Sequence, residues 1–219
     1  MSDKALVELR DLYFSMYGCL GKYEYPIEHP AFAKWKAVRS YALRLKGILS
    51  VVGAVKGKRV LDIGCAEGAF SHHLAKRGAK VVGVDYCSWR TELAEGVSKL
   101  YELPPDNPMF LAIRFERYLK ERPAERFDFI LFLSLFHHFL RRGLKSTWQK
   151  MELVSQRTDM MFLEADLTPI HCRHLVRSGH KQSQMKEVIP SFIVQHSGFR
   201  AYEELPTTRT IRPFFVFTK

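Results

Sequence analysis

The run Val60-Leu61-Asp62-Ile63-Gly64-Cys65-Ala66-Glu67-Gly68-Ala69-Phe70 decides the fold. An apolar pair leads into an acid, two glycines follow, and a helix-like stretch comes next. A buried strand that turns sharply into a helix needs this chemistry. Gly64 lets the backbone approach a ligand closely, and Gly68 lets the new helix sit near the sheet. Further on, Val81-Val82-Gly83-Val84-Asp85-Tyr86-Cys87 repeats the pattern, an apolar strand ending in an acid. An acid at the tip of a second strand is placed to accept both hydroxyls of a ribose.

Outward from these two strands the chain alternates strand and helix patterns. Asp3 to about Met16 has helical spacing at Leu6, Leu9, Leu12, Tyr13 and Met16. A loop with two glycines and two prolines follows. A second helix is predicted from about Phe32 to Val52, with Phe32, Trp35, Tyr41/Ala42, Leu45 and Leu49 on its apolar side. After Asp85, Thr91 to Leu100 reads as a helix, 109–113 as a strand, and 127–135 as a central strand apolar on both faces. A helix over 144–157, a strand over 160–164, a helix over 182–196 and two closing strands complete the pattern. Alternation of this kind implies a parallel sheet with crossover connections, closed by an antiparallel strand.

The two acid-tipped strands resemble the cofactor site of the class I S-adenosylmethionine-dependent methyltransferases. Asp62, Gly64, Cys65 and Gly68 stand where that family has an acid, a glycine, a small residue and a second glycine. A dinucleotide turn needs three glycines as GxGxxG, but that register reads Gly64, Ala66 and Ala69 here. Asp62 just before it would repel a pyrophosphate and attract an ammonium. The resemblance implies an α/β, doubly wound, mostly parallel seven-stranded sheet (a Rossmann-like methyltransferase fold) with an antiparallel C-terminal strand and an N-terminal helical cap. It covers residues 57–219 as the cofactor-binding domain and leaves 1–56 as a cap or lid. The cofactor implied is S-adenosylmethionine, with S-adenosylhomocysteine as product.

Ligands of open parallel sheets lie at the carboxyl ends of the strands, which selects the site residues. The backbone of Gly64 and Cys65 serves the methionine end, Asp85 the ribose, and Tyr86 stands beside the adenine. Phe115 or Glu116 contacts the adenine, because Arg114 occupies the place where family members often have an acid. Leu133 and Ser134 lead to His137 and His138, which resembles the family's fourth motif in its paired-histidine version. Their backbone faces the methionine part, and His137 or His138 faces the acceptor as general base; the alternative is an imidazole packed on the sheet. Glu164 and Asp166 end the fifth strand, where a carboxylate binds an acceptor amine, orients a histidine or simply caps. Arg173 and His174 are candidates for an anionic substrate, and His171 to His174 has poor spacing for zinc, so no metal is expected. Tyr23, Tyr25 and His29 are placed to close over the acceptor or to pack in the lid. Neither an Asn/Asp-Pro-Pro-aromatic run nor a Pro-Cys dipeptide occurs, which disfavours methylation of nucleobase amino groups and of cytosine C5.

Composition sets the outer limits. The 219 residues carry 34 Lys and Arg against 23 Asp and Glu, a net charge of +11. Residues 31–59 hold Lys34, Lys36, Arg39, Arg44, Lys46, Lys56, Lys58 and Arg59 with no acid. A basic helix of this kind steers a phosphorylated substrate or RNA, or is a solvated face. Apolar runs of about eight residues or fewer are too short to span a bilayer. The charged N-terminus does not read as a signal peptide. Scattered Cys19, Cys65, Cys87 and Cys172 fit reduced thiols in the cytoplasm. The expectation is a methyltransferase acting on oxygen or nitrogen of a small or conjugated molecule. An RNA (tRNA-type) methyltransferase and a catalytically silent binding protein of the same fold are the alternatives. Acceptor identity and oligomeric state are not legible.

Overall fold

The structure, a computed structural model, describes residues 3–17, 22–23, 25–33, 36–37, 40–207 and 211–219. Seven strands form its main sheet: β1 (Arg59–Ile63), β2 (Lys80–Asp85), β3 (Met109–Ala112), β4 (Phe129–Leu133), β5 (Met160–Glu164), β6 (Ala201–Leu205) and β7 (Phe214–Thr218). Their order is β3-β2-β1-β4-β5-β7-β6. β2 is parallel to β3, β1 to β4 and β4 to β5, whereas β7 is antiparallel to both β5 and β6. All five residues of β4 are buried, as a strand covered on both faces requires. β6 is the opposite case: its first four residues are exposed and include Glu203 and Glu204, which keep an edge strand from pairing with another chain. Among the described residues no helix is long and apolar enough to cross a membrane.

The chain divides into two compact units, Met1–Lys58 with Cys65–Ile113 and Arg59–Gly64 with Arg114–Lys219. The first holds α1 (Asp3–Tyr17), α2 (Ala42–Val52), α3 (Ala69–Ala75) and α4 (Ser88–Leu100) beside β2 and β3. Leu9 of α1 packs with Ile27, Phe32, Leu93 and Val97, which docks α1 on α4. A polar network ties residues 25–33 to the same unit. The Tyr41 hydroxyl donates to Glu28, its ring lies 4.2 Å from that of His73, and the Tyr101 hydroxyl accepts the Glu28 N–H at 2.7 Å. Burial, reinforced by Glu28, pushes the Tyr41 phenol up. His72 is buried on the inner face of α3, its Nε2 2.9 Å from the Ala94 carbonyl and 3.0 Å from the Ser98 hydroxyl. The first contact requires the Nε2–H tautomer.

The second unit holds β1, β4, β5, β6 and β7 with α5 (Phe115–Glu121), α6 (Phe136–Leu140), α7 (Leu144–Ser155), α8 (Pro169–Arg177) and α9 (Met185–Gln195). Register stacks large side chains in layers: Leu61 lies opposite Ile130, Ile130 opposite Met161, and Phe162 opposite Val216. Phe129 and Phe162 meet edge to face at 5.7 Å.

Three local expectations are corrected. The helix predicted over 32–52 begins only at Ala42. Before it, Pro30–Phe32 is a single 3-10 turn, and Lys36–Ala37 pairs in parallel with Lys22–Tyr23. Backbone pairing there replaces helical hydrogen bonds, so 31–59 is not one continuous basic helix. Lys34, Trp35 and Arg39 lie outside the described residues. α5 and α8 were not anticipated, the first because seven residues show little periodicity. α8 does carry a start signal, Thr168 followed by Pro169 at the first helical position. The predicted strand over 127–135 stops at Leu133, and α6 starts at Phe136.

Two outcomes follow for stability. Gly68 has φ +78°, and an added Cβ would lie 2.6 Å from the Phe110 ring. Gly68→Ala is therefore expected to cost roughly 1–3 kcal/mol in urea unfolding, with the denaturant slope unchanged. Burial pushes His72 from 6.5 down to about 3, only partly offset by its bond to Ala94. A folded value below the unfolded one means its neutral-ring stability is fully present above pH 6.5 and is lost as pH falls toward about 3. His72→Asn, measured over that window, should flatten the acid decline of the unfolding midpoint.

Candidate active site

The turn from β1 into α3 is built on three positive φ angles, Gly64 at 72°, Ala66 at 50° and Gly68 at 78°. Such a turn points backbone N–H groups away from the sheet, and they need partners. Within the first unit, the Cys65 N–H donates to the Val84 carbonyl at 3.2 Å. The Ala66 N–H donates to Asp85 Oδ2 at 3.2 Å, and the Cys87 N–H donates to Asp85 Oδ1 at 2.9 Å. One buried carboxylate thus holds the turn after β1 and the turn after β2 together. Tyr86 beside it is 74% exposed. The Cys65 side chain packs inward with Ala94 and Phe110, so only its backbone belongs to the turn.

Sequence reading missed Arg44. It is buried on α2, and its Nη2 donates to the Tyr25 hydroxyl at 3.1 Å and to the Ser40 carbonyl at 2.9 Å. The guanidinium lies 5.3 Å from the ring of Phe70, in the first turn of α3. Tyr25 is buried and makes an edge contact with Phe70 at 5.8 Å, so its hydroxyl supports the arginine. The available signal was an arginine on the apolar side of a helix, next to Leu45 and one turn from Ile48.

In the second unit, Asp62 is buried one residue before the end of β1. An added Cβ at Gly64 would lie 3.1 Å from Leu135. Leu133 ends β4 opposite Glu164 of β5. Ser134 follows with φ +56°, rare for a residue with a side chain, and its hydroxyl donates to buried Glu164. Acid tips and a tight glycine turn suit a cationic, hydroxyl-bearing nucleoside and oppose a polyphosphate, and S-adenosylmethionine is of the first kind.

The chain after Ser134 brings three imidazoles together. The ring of His137 is 4.3 Å from that of His138 and 4.5 Å from that of His171 on α8. His137 is 4% exposed, and its Nδ1, like that of His171, is buried with no hydrogen-bond partner among the described residues. Burial, then His138 and His171, push His137 down to about 3, against the pull of Asp166. His138 and His171 are lowered chiefly by burial; Arg141 and Arg212 add to this in both, while Asp166 opposes it at His171. Burial acts to raise Asp166, but the Thr168 N–H at 2.9 Å and Arg212 at 2.8 Å hold it below the usual carboxylate range. Burial thus biases all three rings toward the neutral form.

Other expected site residues have structural partners. Arg173 and His174 both contact the Arg141 carbonyl at 3.0 Å, tying α8 to the end of α6. Phe115 is buried against Phe132 and Phe139, and Glu116 lies 3.6 Å from Lys150. The Tyr23 side chain lies outside the described residues. Among the described residues no group of three or more His, Cys, Asp or Glu is arranged to hold a metal.

Comparison with known proteins places this geometry. A methyltransferase-domain family matches residues 34–142. The O-antigen chain terminator bifunctional methyltransferase/kinase WbdD of Escherichia coli is 32% identical over 110 residues, 48% of this chain and 15% of that protein. A ubiquinone biosynthesis O-methyltransferase of Pseudoalteromonas translucida is 34% identical over 158 residues, 72% of this chain and 63% of that protein. The chain therefore spans less than two thirds of either relative. In fold, a WbdD crystal structure superposes with a TM-score of 0.68 at 21% identity, over 96% of this chain and 46% of that one. Magnesium protoporphyrin IX methyltransferase from Synechocystis, crystallised with S-adenosylhomocysteine, gives 0.59 at 17% identity, over 80% of this chain and 82% of that one. With the acid-glycine turn, the Asp85 tie and the closing antiparallel strands in place, the chain belongs to the class I S-adenosylmethionine-dependent methyltransferases.

Proposed function

We propose that this chain moves the methyl group of S-adenosylmethionine to an oxygen or nitrogen atom of a small or conjugated molecule. The observation that carries the reading is Asp85, a buried carboxylate fixed by two backbone N–H groups and still holding free lone pairs for a ribose diol. Relatives named for ubiquinone biosynthesis and for magnesium protoporphyrin IX support a conjugated acceptor.

In this reading Asp62 and the backbone of Gly64, Cys65, Leu133 and Ser134 hold the methionine end. Arg44 is a candidate partner for its carboxylate, and Gly68 sets the helix that follows. Tyr86 covers the adenine, while Phe115 shapes the floor through Phe132. When bound, the cofactor supplies an electrophilic sulfonium methyl. The protein supplies position, exclusion of water and a proton acceptor. His137 and His138 stand on the acceptor side; Glu164 acts through Ser134, and Tyr25, Arg173 and His174 through the Arg44 and Arg141 contacts described above.

A second reading, RNA as acceptor, draws support from the net charge of +11. Salt distinguishes the two. A nucleic-acid enzyme loses RNA steeply and linearly in log affinity against log salt, and a small-molecule enzyme retains none to lose.

Calorimetry with S-adenosylmethionine and S-adenosylhomocysteine tests the first reading. Asp85→Ala and Asp85→Asn should each weaken binding about tenfold or more, since at least one charge-assisted hydrogen bond to the diol is lost. Wild-type affinity in both variants would remove Asp85 from the site. Filter binding of total RNA across a salt series is the companion measurement, with flat, weak retention expected.

A further inference from the structure

We infer that Glu28 is a positioning residue for the carboxylate at the methionine end of the cofactor, acting through the cross-links that hold the Arg44 guanidinium over the start of α3. This rests on the methyl-transfer reading above, with Arg44 as partner of that carboxylate, and it extends that site to a residue that acts only through others.

Two side-chain bonds tie the segment from Tyr25 to Glu28 against the start of α2, with the two pieces of chain running in opposite directions. The Tyr25 hydroxyl accepts from Arg44 Nη2 at 3.1 Å, and the Glu28 carboxylate accepts from the Tyr41 hydroxyl. Arg44 Nη2 also donates to the Ser40 carbonyl at 2.9 Å, next to Tyr41 in the chain. Tyr25, Tyr41 and Arg44 are all buried. Burial, reinforced by Glu28, keeps the Tyr41 phenol protonated, so its bond runs from hydroxyl to carboxylate.

Helix α3 receives both bonds on one face, because Phe70 and His73 stand at helical spacing and both are buried. Phe70 lies at the first bond: the Arg44 guanidinium is 5.3 Å from its ring, and the Tyr25 ring meets it edge-on at 5.8 Å. His73 lies at the second: the Tyr41 ring is 4.2 Å away, and its Nε2 is 3.9 Å from the Glu28 carboxylate. The Glu28 backbone is held as well, its N–H donating to the Tyr101 hydroxyl at 2.7 Å, while Lys76 Nζ sits 3.3 Å from the centre of the Tyr101 ring. Glu28 is therefore the node where the start of α2, the face of α3 and the end of α4 meet. A long guanidinium side chain loses rotamer freedom when it grips an anion, and a place fixed beforehand lowers that cost. Without the Glu28–Tyr41 bond, the Tyr25–Arg44 bond loses its neighbour and the guanidinium its fixed place. The sign of the effect separates this role from charge. Removing an acid favours an incoming carboxylate by Coulomb attraction, whereas losing the positioning weakens its binding. The Glu28 side chain is half-exposed, which keeps both effects modest.

Calorimetry compares S-adenosylhomocysteine with its decarboxylated form, which keeps the nucleoside and the ammonium and lacks only the carboxylate. The preference for the first ligand over the second reports the carboxylate contact alone. Arg44→Gln should cut the wild-type preference about tenfold, as a charge-assisted pair is lost. Glu28→Ala should cut it about threefold, weakening S-adenosylhomocysteine while the decarboxylated form stays within about twofold of wild type. In an Arg44→Gln background Glu28→Ala should lower the preference no further, because its route to the ligand is gone. An unchanged or larger preference in Glu28→Ala, equal weakening of both ligands, or a further loss on top of Arg44→Gln would each overturn the proposal. If Glu28→Ala does not fold, Tyr41→Phe takes its place, with the same results expected and the same results overturning. A wild-type preference in Arg44→Gln would remove Arg44 from the carboxylate, and this inference with it. Failure of wild type to bind S-adenosylhomocysteine at all would sink the methyl-transfer reading itself.

Discussion

The Asp85 carboxylate is the constraint on which the first unit depends. Tight turns after parallel strands leave N–H groups that neither the sheet nor the next helix can satisfy. Here one buried acid accepts from Ala66 on one turn and from Cys87 on the other. Hydrogen bonds to a charged group contribute about 1.5–3 kcal/mol each, so the tie is strong enough to set the path of both loops. It also explains why the backbone between them tolerates a positive φ at Ala66, a residue without glycine's freedom. Strain of that size is held where neighbouring bonds over-determine the conformation.

The second unit applies the same logic to a different end. Ser134 takes a positive φ and is held there by Glu164, which is itself fixed in register opposite Leu133. That pin sets where the chain leaves β4, and therefore where Phe136 starts α6 and where the two adjacent histidines lie. Arg173 and His174 on α8 then bind the Arg141 carbonyl just after α6, and His171 lies with its ring 4.5 Å from that of His137. Arg173 and His174, expected on the substrate side, also act as the brackets that assemble the imidazole group.

Strands and glycine turns were legible because their chemistry is local. Continuous burial makes β4 an unbroken apolar run, and an acid before a glycine turn has few structural uses. Arg44 was not legible: in a basic segment it is one cation among eight, and only packing against Phe70 and Tyr25 sets it apart. His171 escaped for a related reason. Its partners are more than thirty residues earlier in the chain, and no spacing rule reports a contact between α6 and α8. The helix wrongly extended back to Phe32 had good periodicity. A two-residue pairing with Lys22–Tyr23 overrides it, which is tertiary context winning over propensity.

Residues Arg59–Gly64 belong to the second unit although the chain on either side of them belongs to the first. This interleaving means the protein cannot be halved by cutting at Ile113. A fragment ending there keeps Arg59–Ile63 but lacks Phe129–Leu131, its hydrogen-bonding neighbour in the ladder. Val60, Leu61 and Ile63, all buried in the intact protein, would then border an open strand edge. Such an edge is a template for pairing between molecules, so the severed N-terminal piece should aggregate rather than survive as a smaller domain.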